Sequence, residues 1–303
     1  MRRLLFAILL FFFFLPFADA QHMGKRRKTH SFHAKPPYRY ELIGSLGASN
    51  FLGDLGGANQ IGTHGLKDLN LVMTRPVEGA SIRFKVQQFF SVKTNFYWAI
   101  LRGDDKLTQE PSRHARNLNF KSNVFELSSQ VEFNFIKEQK GHIYKIRGVR
   151  GMKHKDRQIY LFGGAGLIHF NPKGLYTDGK WYALEPLHTE GVSYSRFTPI
   201  ISVGGGLRFA INRYWGVGME IGMRKTFSDY VDDVSKNYPN PDIFNGNPKA
   251  IYLSNPALPG SAIYGSSATG QQRGDPTHKD AYMFGTLTVG YKVMYRRRSR
   301  SKF

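Results

Sequence analysis

The stretch NVFELSSQVEFNF, residues 123–135, alternates like a two-letter code. Phe125, Leu127, Val131, Phe133 and Phe135 fall on one parity, and Glu126, Ser128, Gln130, Glu132 and Asn134 on the other. Successive side chains of an extended chain point to opposite faces, so this strand has one apolar face and one polar, charged face. Any fold built from such strands must give each face its own environment. That demand constrains the chain more than its composition does.

The pattern recurs along the sequence. Around 38–46, Tyr38, Tyr40, Leu42 and Leu46 alternate with Arg39, Glu41 and Ser45. Over 80–87, Ala80, Ile82, Phe84 and Val86 alternate with Ser81, Arg83, Lys85 and Gln87. Segments 92–101, 199–209, 215–224 and 282–293 read the same way, while 159–170 is apolar on both parities and blurred by a glycine cluster. Eight segments of about ten residues match the strand length that crosses a bilayer at a tilt. The connections near 47–75, 102–121, 171–197 and 225–280 are long, and those near 88–91 and 210–213 are tight. Long outside and short inside is the asymmetry of an outer-membrane barrel. The connection 137–158 breaks that rule. The expected fold is all-β: an eight-stranded antiparallel transmembrane β-barrel with long extracellular loops and periplasmic termini.

A soluble lipocalin-like barrel or a sandwich also alternates, but with its apolar face inward. Three features select lipid for the apolar face. The polar parity carries both signs of charge, among them Glu41, Arg83, Lys85, Glu126, Glu132, Arg208, Glu220 and Arg224. An eight-stranded barrel has an interior that side chains just fill, and charges there must be paired. Tyr38, Tyr214, Trp215, Tyr291 and Tyr295 lie near strand ends, where interfacial girdles form. A closed barrel also satisfies every backbone group internally, as a bilayer requires.

The N-terminus implies export. Arg2 and Arg3 precede an uncharged run, Leu4–Phe17, and then Ala18-Asp19-Ala20. This is the layout of a cleaved signal peptide, here residues 1–20. A basic periplasmic segment 21–37, the barrel domain 38–295 and a basic tail 296–303 follow. The formal net charge is +21, but an exported chain is not expected to meet nucleic acid. Its basic residues cluster at 25–28, in the connection 137–158 (Lys145, Arg147, Arg150 and Lys153 included) and at Arg296, Arg297 and Arg298. All three clusters fall on the periplasmic side. They read equally as a rim drawn to anionic headgroups or as a docking surface for an acidic partner.

Catalytic and cofactor signals are weak. Asp229, Asp232 and Asp233 lack the spacing of an EF-hand loop. The runs GGAG at 163–166 and GGG at 204–206 are not phosphate loops, and no nucleophile elbow is present. No metal or cofactor is expected, and no enzymatic role. Asp229, Asp232 and Asp233 are expected to pair with Arg116 or Arg273 in an ordered cap of loops.

Seven phrases occur in order: GDL at 53–55, RNLNF at 116–120, FNPKG at 170–174, WYALEPLHTEG at 181–191, FSDYVDDVS at 227–235, RGD at 273–275 and DAYMFG at 280–285. This series resembles the PorG-like outer-membrane β-barrel proteins of the Bacteroidetes type IX secretion system. The resemblance implies a non-enzymatic barrel that associates with a periplasmic ring built by a PorK-like lipoprotein and a PorN-like partner. That machinery exports cargo with a conserved C-terminal domain and, in some members, supports gliding. The basic connection 137–158 and the basic tail depart from the pattern. The competing reading is a stand-alone barrel, acting as a surface adhesin or a lipid-modifying enzyme.

Overall fold

Antiparallel pairing runs unbroken around a ring. The computed structural model describes residues 38–55, 73–107, 111–136, 157–212, 214–258 and 267–294. Within them lie β1 (Tyr38–Leu52), β2 (Arg75–Lys85), β3 (Phe90–Asp104), β4 (Asn119–Asn134), β5 (Arg157–Leu175), β6 (Trp181–Ala183), β7 (Phe197–Ala210), β8 (Trp215–Thr226) and β9 (Ala281–Met294). β6 is a three-residue spur on the end of β5. The other eight strands form a closed antiparallel barrel: β1 pairs with both β2 and β9, and β4 pairs with β5 from Lys121↔Lys173 to Asn134↔Tyr160. Each strand hydrogen-bonds on both sides, so the sheet has no open edge.

Burial is inverted relative to a soluble barrel. Glu41, Arg83, Lys93, Glu126, Glu132 and Glu220 are buried, while Leu46, Ile82, Phe96, Leu127, Val203, Ile221 and Leu287 are exposed on the outer wall. Such a surface is stable only against hydrocarbon, which makes this a transmembrane-type barrel. Among the described residues no helix is long and apolar enough to cross a membrane; the strands carry the span. Leu127→Arg, at mid-belt on β4, is expected to cost about 2–4 kcal/mol in urea-driven unfolding from lipid vesicles. An unchanged midpoint would contradict the lipid-facing assignment.

The interior charges are interlocked. Arg83 donates from Nη1 to Glu41 at 2.7 Å and grips Glu132 with Nε and Nη2 at 2.7 and 3.0 Å. Arg208 reaches the same Glu132 at 3.3 Å and Gln158 at 2.8 Å. Lys93 and the Tyr160 hydroxyl both donate to Glu220 at 2.8 Å. Arg224 and Tyr282 donate to Glu126 at 3.3 and 2.8 Å. Of the eight charges that the alternation placed on the polar face, Glu41, Arg83, Glu126, Glu132, Arg208, Glu220 and Arg224 therefore take part in these contacts, and Lys85 is buried over the Tyr38 ring. Removing one partner of a buried pair strands the other. Glu132→Leu, which takes the carboxylate from Arg208 and leaves Arg83 with Glu41 alone, should destabilise the barrel by about 3–5 kcal/mol in the same unfolding assay. A loss below about 1 kcal/mol would mean that solvent reaches these groups.

Glycines of β7 admit bulky neighbours from β5. A Cβ on Gly206 would lie 2.5 Å from the Tyr160 ring, and one on Gly204 would lie 2.5 Å from the Phe162 ring. These inward rings press on the bare backbone of β7, so the segment looks apolar on both parities while keeping a strand's two faces.

Two expectations need correction. The strands are longer than about ten residues, and the long connections shrink to 53–74, 105–118, 176–196 and 227–280. The extra length lies at the long-loop end, where inward residues such as Phe51, Leu101, Phe120 and Phe170 pack in an apolar core. Tyr38 is not in a girdle either. A register shift between Tyr38 and Tyr40 turns it inward, where it is buried with Lys85 Nζ 4.0 Å from its ring centre. A bulge of this kind reverses side-chain parity. Tyr214, Trp215 and Tyr291 do cluster on the outer wall at the tight-turn end. The signal peptide, the segment 21–37, Lys145, Arg147, Arg150, Lys153, Tyr295, Arg296, Arg297, Arg298 and the tail lie outside the described residues.

Candidate functional site

At the long-loop end the interior changes character. Phe51, Val124, Ile168, Ile200 and Phe284 point inward from the strands and meet Leu55, Leu118, Val231 and Val234 from the loops. This apolar layer sits between the charged interior and a cap of loops. Burial of such surface provides the cap's main cohesion. Polar contacts then fix which loop sits where.

Arg273 is the hub. Its side chain is buried and donates to Glu190 Oε1 at 2.8 Å, to the Asp233 carbonyl at 2.5 Å and to the Ser254 carbonyl at 3.1 Å. Its Nη2 lies 3.7 Å from Asp233 Oδ2, so the expected pairing of Arg273 with an aspartate of 227–235 forms at Asp233. Thr189 and Tyr194 also donate to the Asp233 carboxylate, Tyr194 at 2.6 Å. Glu190 accepts from the backbone N–H groups of Ser235 and Lys236 at 2.9 and 3.0 Å. The loop 176–196 is thereby tied to the loop 227–280.

Arg116 departs from expectation. Its acidic partner is the buried Asp105, gripped at 2.7 and 3.1 Å, and it also donates to the carbonyls of Arg273 and Asp54. Asp105 stands eleven residues before Arg116, and the connection they share between β3 and β4 brings them together. Asp229 and Asp232 do not pair with either arginine. Asp229 accepts from Ser235 Oγ at 2.6 Å, and Asp232 accepts from the N–H groups of Leu55 and Val234, both at 3.1 Å. Asp232 thus caps backbone, and Asp229 holds a serine hydroxyl.

Asp54, Asp229, Asp232 and Asp280 are close enough to influence one another's protonation. Burial first, and then neighbouring carboxylates, push Asp232 and Asp280 well above the usual carboxylate range. Burial raises Asp54 and Asp233 to about 6, against the pull of Arg116 on the first and Arg273 on the second. Asp275, which is half-buried, is instead held at about 2 by hydrogen bonds from Thr277 and His278. Carboxyls in an unfolded chain release their protons near pH 4. Between there and about 6 the folded cap holds more protons than the open one, so its stability falls as pH rises through that window. Amide-exchange protection at Val231, Val234 and Ser235, corrected for intrinsic rates, should therefore be greater near pH 5 than near pH 7.5. Equal or lower protection at the acidic value would contradict this.

Among the described residues, no group of His, Asp and Glu has the arrangement of a metal site. His278 meets Thr277 and Asp275 through the same nitrogen, Nδ1, at 3.0 and 2.7 Å. The RGD tripeptide is part of the cap, with its arginine inaccessible. The sequence reading missed Asp54, Asp105, Glu190 and Asp280. Three of them stand inside quoted phrases (GDL, WYALEPLHTEG and DAYMFG), so the signal was the phrases themselves.

A family model described as "Domain of unknown function (DUF6089)" matches residues 40–255. The chain belongs to the DUF6089 family. The match begins in β1 and takes in β2–β8 and much of the cap, stopping before Arg273 and β9. Among solved structures, the DUF6089 chain is similar to Ail, the attachment invasion locus protein of Yersinia pestis, at 10% identity and a TM-score of 0.37 over 84% of this chain and 99% of that one. It is similar to OprG from Pseudomonas aeruginosa at 9% and 0.38, over 85% and 98% of the two chains. It is also similar to Outer Membrane Protein W of E. coli at 13% and 0.37, over 84% and 99%. No curated protein matches the sequence.

Proposed function

We propose that this chain is a non-enzymatic outer-membrane component of the type IX secretion system, docking a periplasmic ring to the membrane in protein export and, by the same linkage, in gliding. The observation that carries the reading is where the seven phrases fall. GDL, RNLNF, WYALEPLHTEG, FSDYVDDVS, RGD and DAYMFG supply Asp54, Arg116, Glu190, Asp233, Arg273 and Asp280; the contacts above, with Asp280 accepting from the Val231 N–H at 2.9 Å, join them into one cap. FNPKG forms the end of β5 beneath it, with Phe170 in the apolar layer. The residues behind the PorG-like resemblance are thus the residues that order the loops.

On this reading the long-loop end is extracellular and both termini are periplasmic, after cleavage of a signal peptide. The filled interior suits an anchor and not a conduit, since eight strands leave no aqueous lumen. The docking surface is assigned to the basic periplasmic stretches, Lys145, Arg147, Arg150 and Lys153 in one and Arg296, Arg297 and Arg298 in the other. The partners are a PorK-like lipoprotein and its PorN-like companion.

Pull-down of the full chain from detergent-solubilised outer membrane should recover a periplasmic lipoprotein in fixed stoichiometry. Deleting residues 296–303 should reduce that recovery while the barrel still assembles. Recovery of the barrel alone from the full chain would sink the proposal in favour of a free-standing barrel.

A further inference from the structure

The outer wall of β3, β4 and β5 carries a row of positive charge with too few acids to balance it. In the barrel register Arg102 lies opposite Lys121, and Lys121 lies opposite Lys173. All three point outward, because the flanking residues Leu101, Phe120, Ser122 and Pro172 are buried. Side chains opposite one another on neighbouring strands have Cβ atoms about 5 Å apart, and like charges so placed destabilise the pair. Arg102 has Asp104 at 3.3 Å. Among the described residues neither lysine ammonium has a hydrogen bond or an ion pair. A sheet that sets two lysines face to face without a counter-ion calls for one from outside the chain.

The level of the row says what that counter-ion is. Two register steps below it lies an outward aromatic row, Trp98, Phe125, His169 and Phe197, with Phe125 and His169 ring centres 6.5 Å apart and His169 and Phe197 ring centres 4.7 Å apart. Aromatic rows of this kind mark the edge of the hydrocarbon. Between the two rows stand Asn123 and Asn171, which are register partners. Four residues of tilted strand, from Phe125 to Lys121, climb about 10 Å along the membrane normal. That height is the headgroup layer, where phosphate is the abundant anion.

We propose that Lys121 and Lys173, flanked by Arg102, form a docking surface for the phosphate of a lipid headgroup in the leaflet at the long-loop end. With the orientation proposed above, that leaflet faces the cell exterior, and the carrier is a phosphorylated glycolipid. The periplasmic partner plays no part in this surface, so failure of the pull-down would leave it standing.

The test uses full-length protein in neutral detergent with bisphosphorylated lipid A as the probe, read by native mass spectrometry. Barrel integrity is checked by the heat-shifted mobility of the folded form. The double variant Lys121→Gln/Lys173→Gln should bind the lipid about thirtyfold more weakly, at roughly a factor of five per lysine. A Lys279→Gln control should bind as the parent does. Enzymatically dephosphorylated lipid should bind the parent no better than the double variant binds lipid A. Equal binding by parent and double variant would overturn the proposal. So would undiminished binding of the dephosphorylated lipid, or displacement of lipid A by inorganic phosphate at equal concentration, which would make the site one for the free anion.

Discussion

A β-sheet in hydrocarbon cannot leave a strand edge unpaired, because no water is there to take the exposed N–H and C=O groups. The pairing of β4 with β5 closes the ring and removes both edges at once. Most other features follow from that closure. It makes an inside and an outside of unequal chemistry. It turns alternation along each strand into a lipid-facing belt and a charged interior. It also brings residues from opposite walls within hydrogen-bonding reach.

The interior then faces an electrostatic problem. Carboxylates and cations removed from water are tolerated when their donors and acceptors are matched. Here matching is by shared groups: Glu132 serves Arg83 and Arg208, and Glu220 serves Lys93 and Tyr160. Phenol rings also cover cations, with Arg208 4.8 Å from the Tyr160 ring centre. The result is a packed polar plug. Towards the long loops the same inward parity becomes apolar, which gives the cap a floor of Phe51, Phe120 and Phe170 to close upon. The two interiors divide the work, with the lower one sealing the barrel and the upper one ordering the loops.

The charge excess of the sequence is not all of one kind. The cations inside the wall meet carboxylates, and Arg273 and Arg116 are spent on cap geometry. On the outer wall of β3, β4 and β5 at the long-loop end stands a short row centred on Lys121 and Lys173. Sorting the basic residues by where the barrel places them replaces one global number with separate physical roles.

How far the sequence could be read depends on the range of the interaction that decides each feature. Period-two alternation is a property of neighbours, so the strands, their lipid face and the inward Glu126, Glu132, Arg208, Glu220 and Arg224 were legible from local pattern. Tyr38 was misplaced because a bulge is set by how β1 meets β9 and not by the run of residues around it. The segment 159–170 stayed ambiguous because its inward rings lie against glycines of β7, some forty residues along the chain. Arg116 was given the wrong acid because composition offers many carboxylates and only folding selects Asp105. Lys93 and Glu220 meet across 127 residues, and Tyr282 reaches Glu126 across 156. The sequence by itself settled the alternation, and with it the eight barrel strands and the side that most of their residues take, Tyr38 and the blurred segment 159–170 apart. Which charge meets which, and which loop closes on which, was decided by tertiary structure, because ring closure brings together groups that no local spacing relates.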